Sequence, residues 1–270
     1  SRYWPPREVA ELLGIEIKDA HSGLTVEALA ETKGLPADSL RSFGVSDGFA
    51  GATSNRRPCV DIPYADELGE MKAVRKRLSM DGPSRFVWRR GDKATLYGLP
   101  YLKDIKRSGK VILVEGESDA WTLWHHRITA LGIPGASTWK EDFCRYIDGV
   151  EAYAWREPDD GGDKFLQTVG HDLPDLRVIE APRDVKDASD LFLLDPDNFK
   201  ERRLGLIEVA RPFSELRAEA FSTEARGCLA KAQTLLHSPD ILNQLKDAIR
   251  TTGFVGDIRP AMMSYFAITS

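Results

Sequence analysis

Cysteine is scarce and histidine nearly so, with three Cys and five His in 270 residues. Cys59, Cys144 and Cys228 lie too far apart for a Cys-x-x-Cys zinc knuckle and are too few for a disulfide framework. That excludes zinc ribbons and stapled secreted domains, and the thiols read as reduced, mostly buried and cytoplasmic. No window approaches the ~18 apolar residues of a membrane span. No Gly-x-x-x-x-Gly-Lys-Ser/Thr occurs, so this stretch holds no P-loop ATPase. There is no internal repeat and no low-complexity tract. The chain opens on Ser1-Arg2-Tyr3-Trp4-Pro5-Pro6 without an initiating Met or a leader-like basic-then-apolar run, which reads as a fragment excised from a longer chain.

What is present is ordinary in sum and uneven in distribution. Hydrophobic residues make up 42% and charged residues 29%, with a net charge of −5, a composition that fits a folded globular chain. Residues 56–107 hold 13 Lys+Arg against 7 Asp+Glu, whereas residues 108–200 hold 10 against 19. A basic segment followed by an acidic one suits a protein that grips phosphates on one surface and holds divalent cations on the next.

The periodicity divides the chain into three. In residues 1–107, Val9, Leu12 and Leu13 suggest a helix over 7–20, and residues 24–43 are also helical in pattern. Short alternating runs follow, Val60 to Tyr64, Ala73 to Leu78 and Arg85 to Trp88, punctuated by Asp/Gly turns, and predict a small antiparallel sheet. In residues 108–200, unbroken apolar runs alternate with helix-length stretches. Strands are expected over Val111–Val114, Ile128–Ile133, Val150–Arg156 and Leu176–Ala181, with helices over Ser118–His126 and Trp139–Ile147. This alternation predicts an α/β fold with a mainly parallel, Rossmann-like sheet. Residues 201–270 return to helical spacing.

In such a sheet, ligands bind beyond the carboxyl ends of the strands. Three acidic clusters stand there: Glu115, Glu117 and Asp119; then Glu157, Asp159 and Asp160; then Asp184, Asp187 and Asp190. Carboxylates brought together repel unless a cation sits among them, and oxygen-only ligation suits Mg²⁺ or Mn²⁺. Each cluster alone is also what a helix N-terminus or a tight turn selects. Trp121, Trp124 and His125 share one helix face and read as core rather than as a metal or stacking site.

The stretch Val111-Ile112-Leu113-Val114-Glu115-Gly116-Glu117-Ser118-Asp119 resembles the first TOPRIM motif, an apolar strand ending in Glu-Gly-x-x-Asp. Glu157-Pro158-Asp159-Asp160-Gly161-Gly162 is similar to the second, with Glu157 where the family usually has Asp. Lys186-Asp187-Ala188-Ser189-Asp190 resembles the Lys-Asp-x-x-Asp/Glu segment of DnaG-type and phage primases. Upstream, Ile62-Pro63-Tyr64, Gly69, Arg85-Phe86-Val87-Trp88 and Leu96-Tyr97-Gly98 are similar to the N-terminal subdomain of the same primases. There Arg85 and Phe86 replace Lys and Tyr, and Trp88 replaces Asn.

The resemblance implies a basic α+β subdomain over 1–107, a TOPRIM catalytic domain over 108–200 and a helical region over 201–270 that leads toward a helicase domain or partner. It implies template-directed primer synthesis on single-stranded DNA from nucleoside triphosphates, with Mg²⁺ or Mn²⁺ as cofactor. Glu115 and Asp159 take catalytic roles; Glu115, Glu157, Asp159 and Asp187 hold metal; Asp119 and Asp190 support them. Arg75, Arg77, Arg85, Arg89, Arg90, Lys93 and Lys186 contact nucleic acid or nucleotide. Arg75 and Arg77 alternate with Lys76 along one strand, so the two Arg share a face. A TOPRIM nuclease of the OLD kind, or a binding module that has lost catalysis, shares the same acids and stays open on sequence.

Overall fold

The computed structural model describes residues 23–52, 56–82, 84–236 and 239–269. The helix expected over 7–20 lies outside the described residues. The chain divides into two compact units, one ending at Ser214 and one beginning at Glu215.

The first unit opens with α1 (Val26–Thr32), where the Thr25 hydroxyl caps the Ala28 amide and Val26, Leu29 and Ala30 are buried. Gly34, in the left-handed region at φ 63, and Pro36 interrupt the helical pattern, so α2 (Ala37–Ser42) begins anew. A left-handed Gly ends a helix and Pro cannot continue one. Four antiparallel strands follow in the order β1 (Ser46–Ala50), β2 (Arg57–Ala65), β3 (Met71–Arg77) and β4 (Phe86–Trp88). Alternation turns Val60, Ile62 and Tyr64 inward at 0% exposure. Arg75 and Arg77 stand opposite Trp88 and Phe86 on that same face, whereas Lys76 pairs with Asp61 on the other at 2.7 Å.

The second sheet is built from α3 (Leu102–Ser108), β5 (Lys110–Glu115), α4 (Glu117–His125), β6 (Ala130–Ile133), α5 (Cys144–Ile147), β7 (Glu151–Arg156), α6 (Asp160–Asp172), β8 (Arg177–Glu180), α7 (Ala188–Leu194), α8 (Phe199–Glu208) and β9 (Arg211–Pro212). Its order is β6-β5-β7-β8-β9, with only β9 antiparallel. Val111 to Val114 are all buried, as a strand covered on both faces requires. The chain leaves β5 for β6 on one side and later adds β7 on the other. A topological switch point therefore lies between the ends of β5 and β7.

A two-way backbone pairing of Tyr97 with Gly132 joins the segment after the antiparallel sheet to β6. Trp121 and Trp155, at 0% and 1% exposure, anchor the core, with Trp124 also buried. The helix expected over Trp139–Ile147 is a 3₁₀ turn, Glu141–Phe143, followed by the single turn of α5. Trp139 stays extended, its indole donating to Asp172. Of the three free thiols only Cys59 is buried; Cys144 is half-buried and Cys228 exposed, which corrects the expectation of mostly buried cysteines.

The second unit is helical, with the remainder of α9 (Phe213–Leu236), then α10 (Ile241–Thr251) and α11 (Ile258–Thr269). No helix among the described residues is long and apolar enough to cross a membrane.

Candidate metal centre

Three segments bring acids to the carboxyl edge of the parallel sheet. β5 ends at Glu115, and Gly116, at φ 102, turns the chain into α4. The first turn of that helix carries Glu117 and Asp119, 3% and 2% exposed. After β7, Asp159 caps α6 by accepting from the Gly162 amide at 2.9 Å. A side chain at Gly162 would begin 2.2 Å from the Glu157 carbonyl oxygen, so only glycine lets the backbone close here. After β8, Asp187 caps α7 by accepting from the Asp190 amide at 2.8 Å. Asp190 in turn accepts from the Lys186 amide, and Asp119 accepts from the Ser189 amide at 3.0 Å.

Asp119, Glu157 and Asp187 each present a ligand oxygen within 4.8 Å of the other two. They face a cleft of about 560 Å³ whose wall also includes Glu115 and Asp159. Glu157 and Asp187 of the expected ligand set thus belong to the tight group, and Asp119, expected as support, joins them. Glu115 and Asp159 border it. Asp190 acts on the backbone beside it.

Burial, with Glu157 and Asp159 nearby, pushes the Glu115 carboxyl up to about 7, against the pull of Lys186. Its Oε1 is buried without a hydrogen-bond partner. Burial raises Glu157 as well, although Lys186 opposes it. Asp119 lies well above the carboxylate range through burial and then the proximity of Asp187. Asp159 goes the other way, held low chiefly by the Gly162 amide. Lys186 pairs with two of these acids, 3.0 Å from Glu157 and 3.6 Å from Asp159.

Desolvated, mutually repelling carboxylates with one orphaned oxygen are short of positive charge. The donor set is all oxygen, so the residues fit a hard divalent cation.

Cations line the same cleft: Arg75, Arg77, Arg85 and Lys33, with Lys33 close enough to Asp119 to oppose the rise of its carboxyl. Arg75 is committed to Glu117 at 2.9 Å, which also accepts from the Tyr64 hydroxyl, and its guanidinium lies 4.2 Å from the Phe86 ring centre. Arg77, 6% exposed, donates to the carbonyls of Ser79 and Met80. Arg89, Arg90 and Lys93 are exposed and do not line the cleft; Arg89 pairs with Asp92. Sequence reasoning missed Lys33, which stands at the end of α1 with no local signal, and missed Glu117 as the partner of Arg75.

No protein-family model matches the chain. The Gene 57 protein of Mycobacterium phage D29 is 31% identical over 131 residues, 47% of this chain and 85% of that protein. The RNA polymerase domain of Mycobacterium tuberculosis primase DnaG matches with a TM-score of 0.62 at 15% identity, covering 84% of this chain and 90% of that one. A DnaG primase catalytic domain bound to single-stranded DNA matches with a TM-score of 0.60 at 16% identity, covering 79% and 78%. At those identities the likeness is one of fold.

Proposed function

From the premise that the chain belongs to the family of the Gene 57 protein of Mycobacterium phage D29 and has the fold of DnaG primase catalytic cores, we propose that it is a primase catalytic core. It joins nucleoside triphosphates into short primers on a single-stranded DNA template. The observation that carries this reading is the convergence of Asp119, Glu157 and Asp187 in one cleft with Arg77 and Arg85.

Asp119, Glu157 and Asp187 would hold the Mg²⁺ or Mn²⁺, with Asp159 and Glu115 beside them. When bound, the cation supplies Lewis acidity that activates a 3′-hydroxyl and offsets charge on the triphosphate. Glu115, with its unpartnered Oε1, accepts a hydrogen bond from that hydroxyl and receives its proton. Lys186 fixes Glu157 and Asp159 and presents an ammonium to the phosphates. Arg77, Arg85 and Lys33 place positive charge along the path of template and triphosphate. Buried Arg75 keeps Glu117 neutralised so that the wall holds its shape.

The test incubates the full chain with single-stranded DNA, labelled nucleoside triphosphates and Mg²⁺ or Mn²⁺, beside the Asp187→Asn variant. New short oligonucleotides, absent with the variant, support the reading. Shortened template would mean a nuclease, and DNA binding without turnover a non-catalytic module; either outcome overturns it.

A further inference from the structure

The opposite edge of the parallel sheet, where β5, β6 and β7 begin, carries a second cleft of about 380 Å³. Five of its lining residues are basic or imidazole side chains, Lys110, His126, Arg127, Lys200 and Arg203, and none is acidic. In a chain with 42 acids against 37 Lys+Arg, a concave surface of one sign is a local arrangement rather than an overflow of composition. Lys110 is paired with Glu151 at 3.1 Å. Among the described residues, no acidic side chain pairs with Arg127, Lys200 or Arg203.

Two further observations point to a ligand. The Nε atoms of His126 and Arg203, Nε2 in the imidazole, are buried without a hydrogen-bond partner, a state that folded proteins rarely leave unresolved. The His126 ring packs in a cluster with Phe192 and Phe199, 4.9 and 4.6 Å between ring centres. Burial holds the Arg203 guanidinium below its ordinary range, as expected of a cation awaiting a counter-charge.

Arg127 is the only non-glycine at positive φ among the described residues, at 58°, immediately after the cap of α4. Glycine serves the backbone better at such a position. What arginine adds is a cationic side chain in the lining of the cleft. The floor is apolar, formed by Ile112, Ile128 and Ile207, a surface suited to a sugar or base edge rather than to a bare ion.

We propose that this cleft binds a phosphate-bearing ligand of nucleotide size, with Arg127, Lys200 and Arg203 on the phosphates and the isoleucines beneath the rest. Its volume falls within the roughly 300–1,000 Å³ of small-molecule sites. The site is separate from the carboxylate cleft and does not depend on the primase reading.

Thermal melting of the full chain in EDTA removes binding held by a divalent cation, and the Arg127 and Arg203 substitutions separate this cleft from the cations that line the carboxylate cleft. ATP, GTP, pyrophosphate and a short single-stranded oligonucleotide are titrated separately against wild type, against Asp187→Asn and against the Arg127→Gly/Arg203→Gln double variant. A nucleotide or pyrophosphate should raise the midpoint of wild type and Asp187→Asn alike. In the double variant its apparent affinity should fall at least about tenfold, as for loss of charge-assisted bonds. Arg127→Gly alone relieves the left-handed backbone, so it remains a folded test if the double variant does not fold, and it should weaken binding by itself. The proposal is overturned by no shift with any nucleotide or pyrophosphate, by a shift with the oligonucleotide only, or by a shift that survives the substitutions. Failure of primer synthesis has no bearing on these outcomes.

Discussion

Replacing Glu115 with Gln keeps the shape of the side chain and removes its charge, which separates what the metal-free cluster costs from what it does. The Glu115 carboxyl is displaced from 4.5 to about 7, mainly by burial. At about 1.36 kcal/mol per unit, that displacement has a ceiling of about 3 kcal/mol, and partial exposure of the side chain reduces it to roughly 1–2 kcal/mol. The folded state binds the extra proton between pH 4.5 and 7, so the contribution is fully present below 4.5 and is lost as pH rises through 7. In EDTA, urea denaturation should therefore find the two proteins close at pH 4.5 and the Gln variant more stable by roughly 1–2 kcal/mol at pH 8. Saturating Mg²⁺ should shrink that gap by stabilising wild type more. Primer synthesis should fall about 10²–10⁴-fold in the variant, the range for loss of an acid–base group. A Gln variant that is less stable at pH 8 in EDTA, or equally displaced at every pH, would refute the desolvated-carboxylate account.

The other predictions concern the groups around Glu115. Asp119→Asn should abolish the Mg²⁺-dependent stabilisation, which in wild type reaches about 2.7 kcal/mol at a hundredfold excess over Kd; an unchanged Mg²⁺-dependent rise in melting temperature would remove Asp119 from the ligand set. Asp159→Asn should not stabilise the metal-free protein, because the Asp159 carboxylate is held low by the Gly162 amide. Its stability is present above the unfolded pKa and lost as pH falls, so a higher melting temperature for the Asn variant at pH 8 would contradict the capping geometry. Arg75→Ala should lower stability by about 3–5 kcal/mol through a stranded Glu117, as for a broken buried pair, measured by urea denaturation. Arg85→Ala should leave stability within about 0.5 kcal/mol yet flatten the salt dependence of single-stranded DNA binding by about one counterion.

The parallel sheet was legible because strands buried on both faces have to be continuous in apolar residues, and Val111 to Val114 and Ala152 to Trp155 are so. The antiparallel sheet was legible from alternation, except for β1. Ser46-Asp47-Gly48-Phe49-Ala50 carries neither β-branched residues nor a clean period, and it is a strand because β2 pairs with it along five residues. The acids could be named from sequence because each follows a strand, but their mutual distances could not. Those depend on strand order, which no local pattern encodes. Glu115 and Glu157 meet because β7 lies beside β5, about 4.8 Å away as neighbouring strands are. Had β7 been added beyond β6, the same motifs would stand two strands apart and hold nothing between them. Asp119 enters the tight group for a related reason: α4 is pinned against α7 by the bond from the Ser189 amide to Asp119, 70 residues apart in sequence. The basic cleft at the far edge was hidden in the same way. Lys110, Arg127, Lys200 and Arg203 belong to no motif, and only the packing of α8 beneath the sheet turns four scattered cations into one surface.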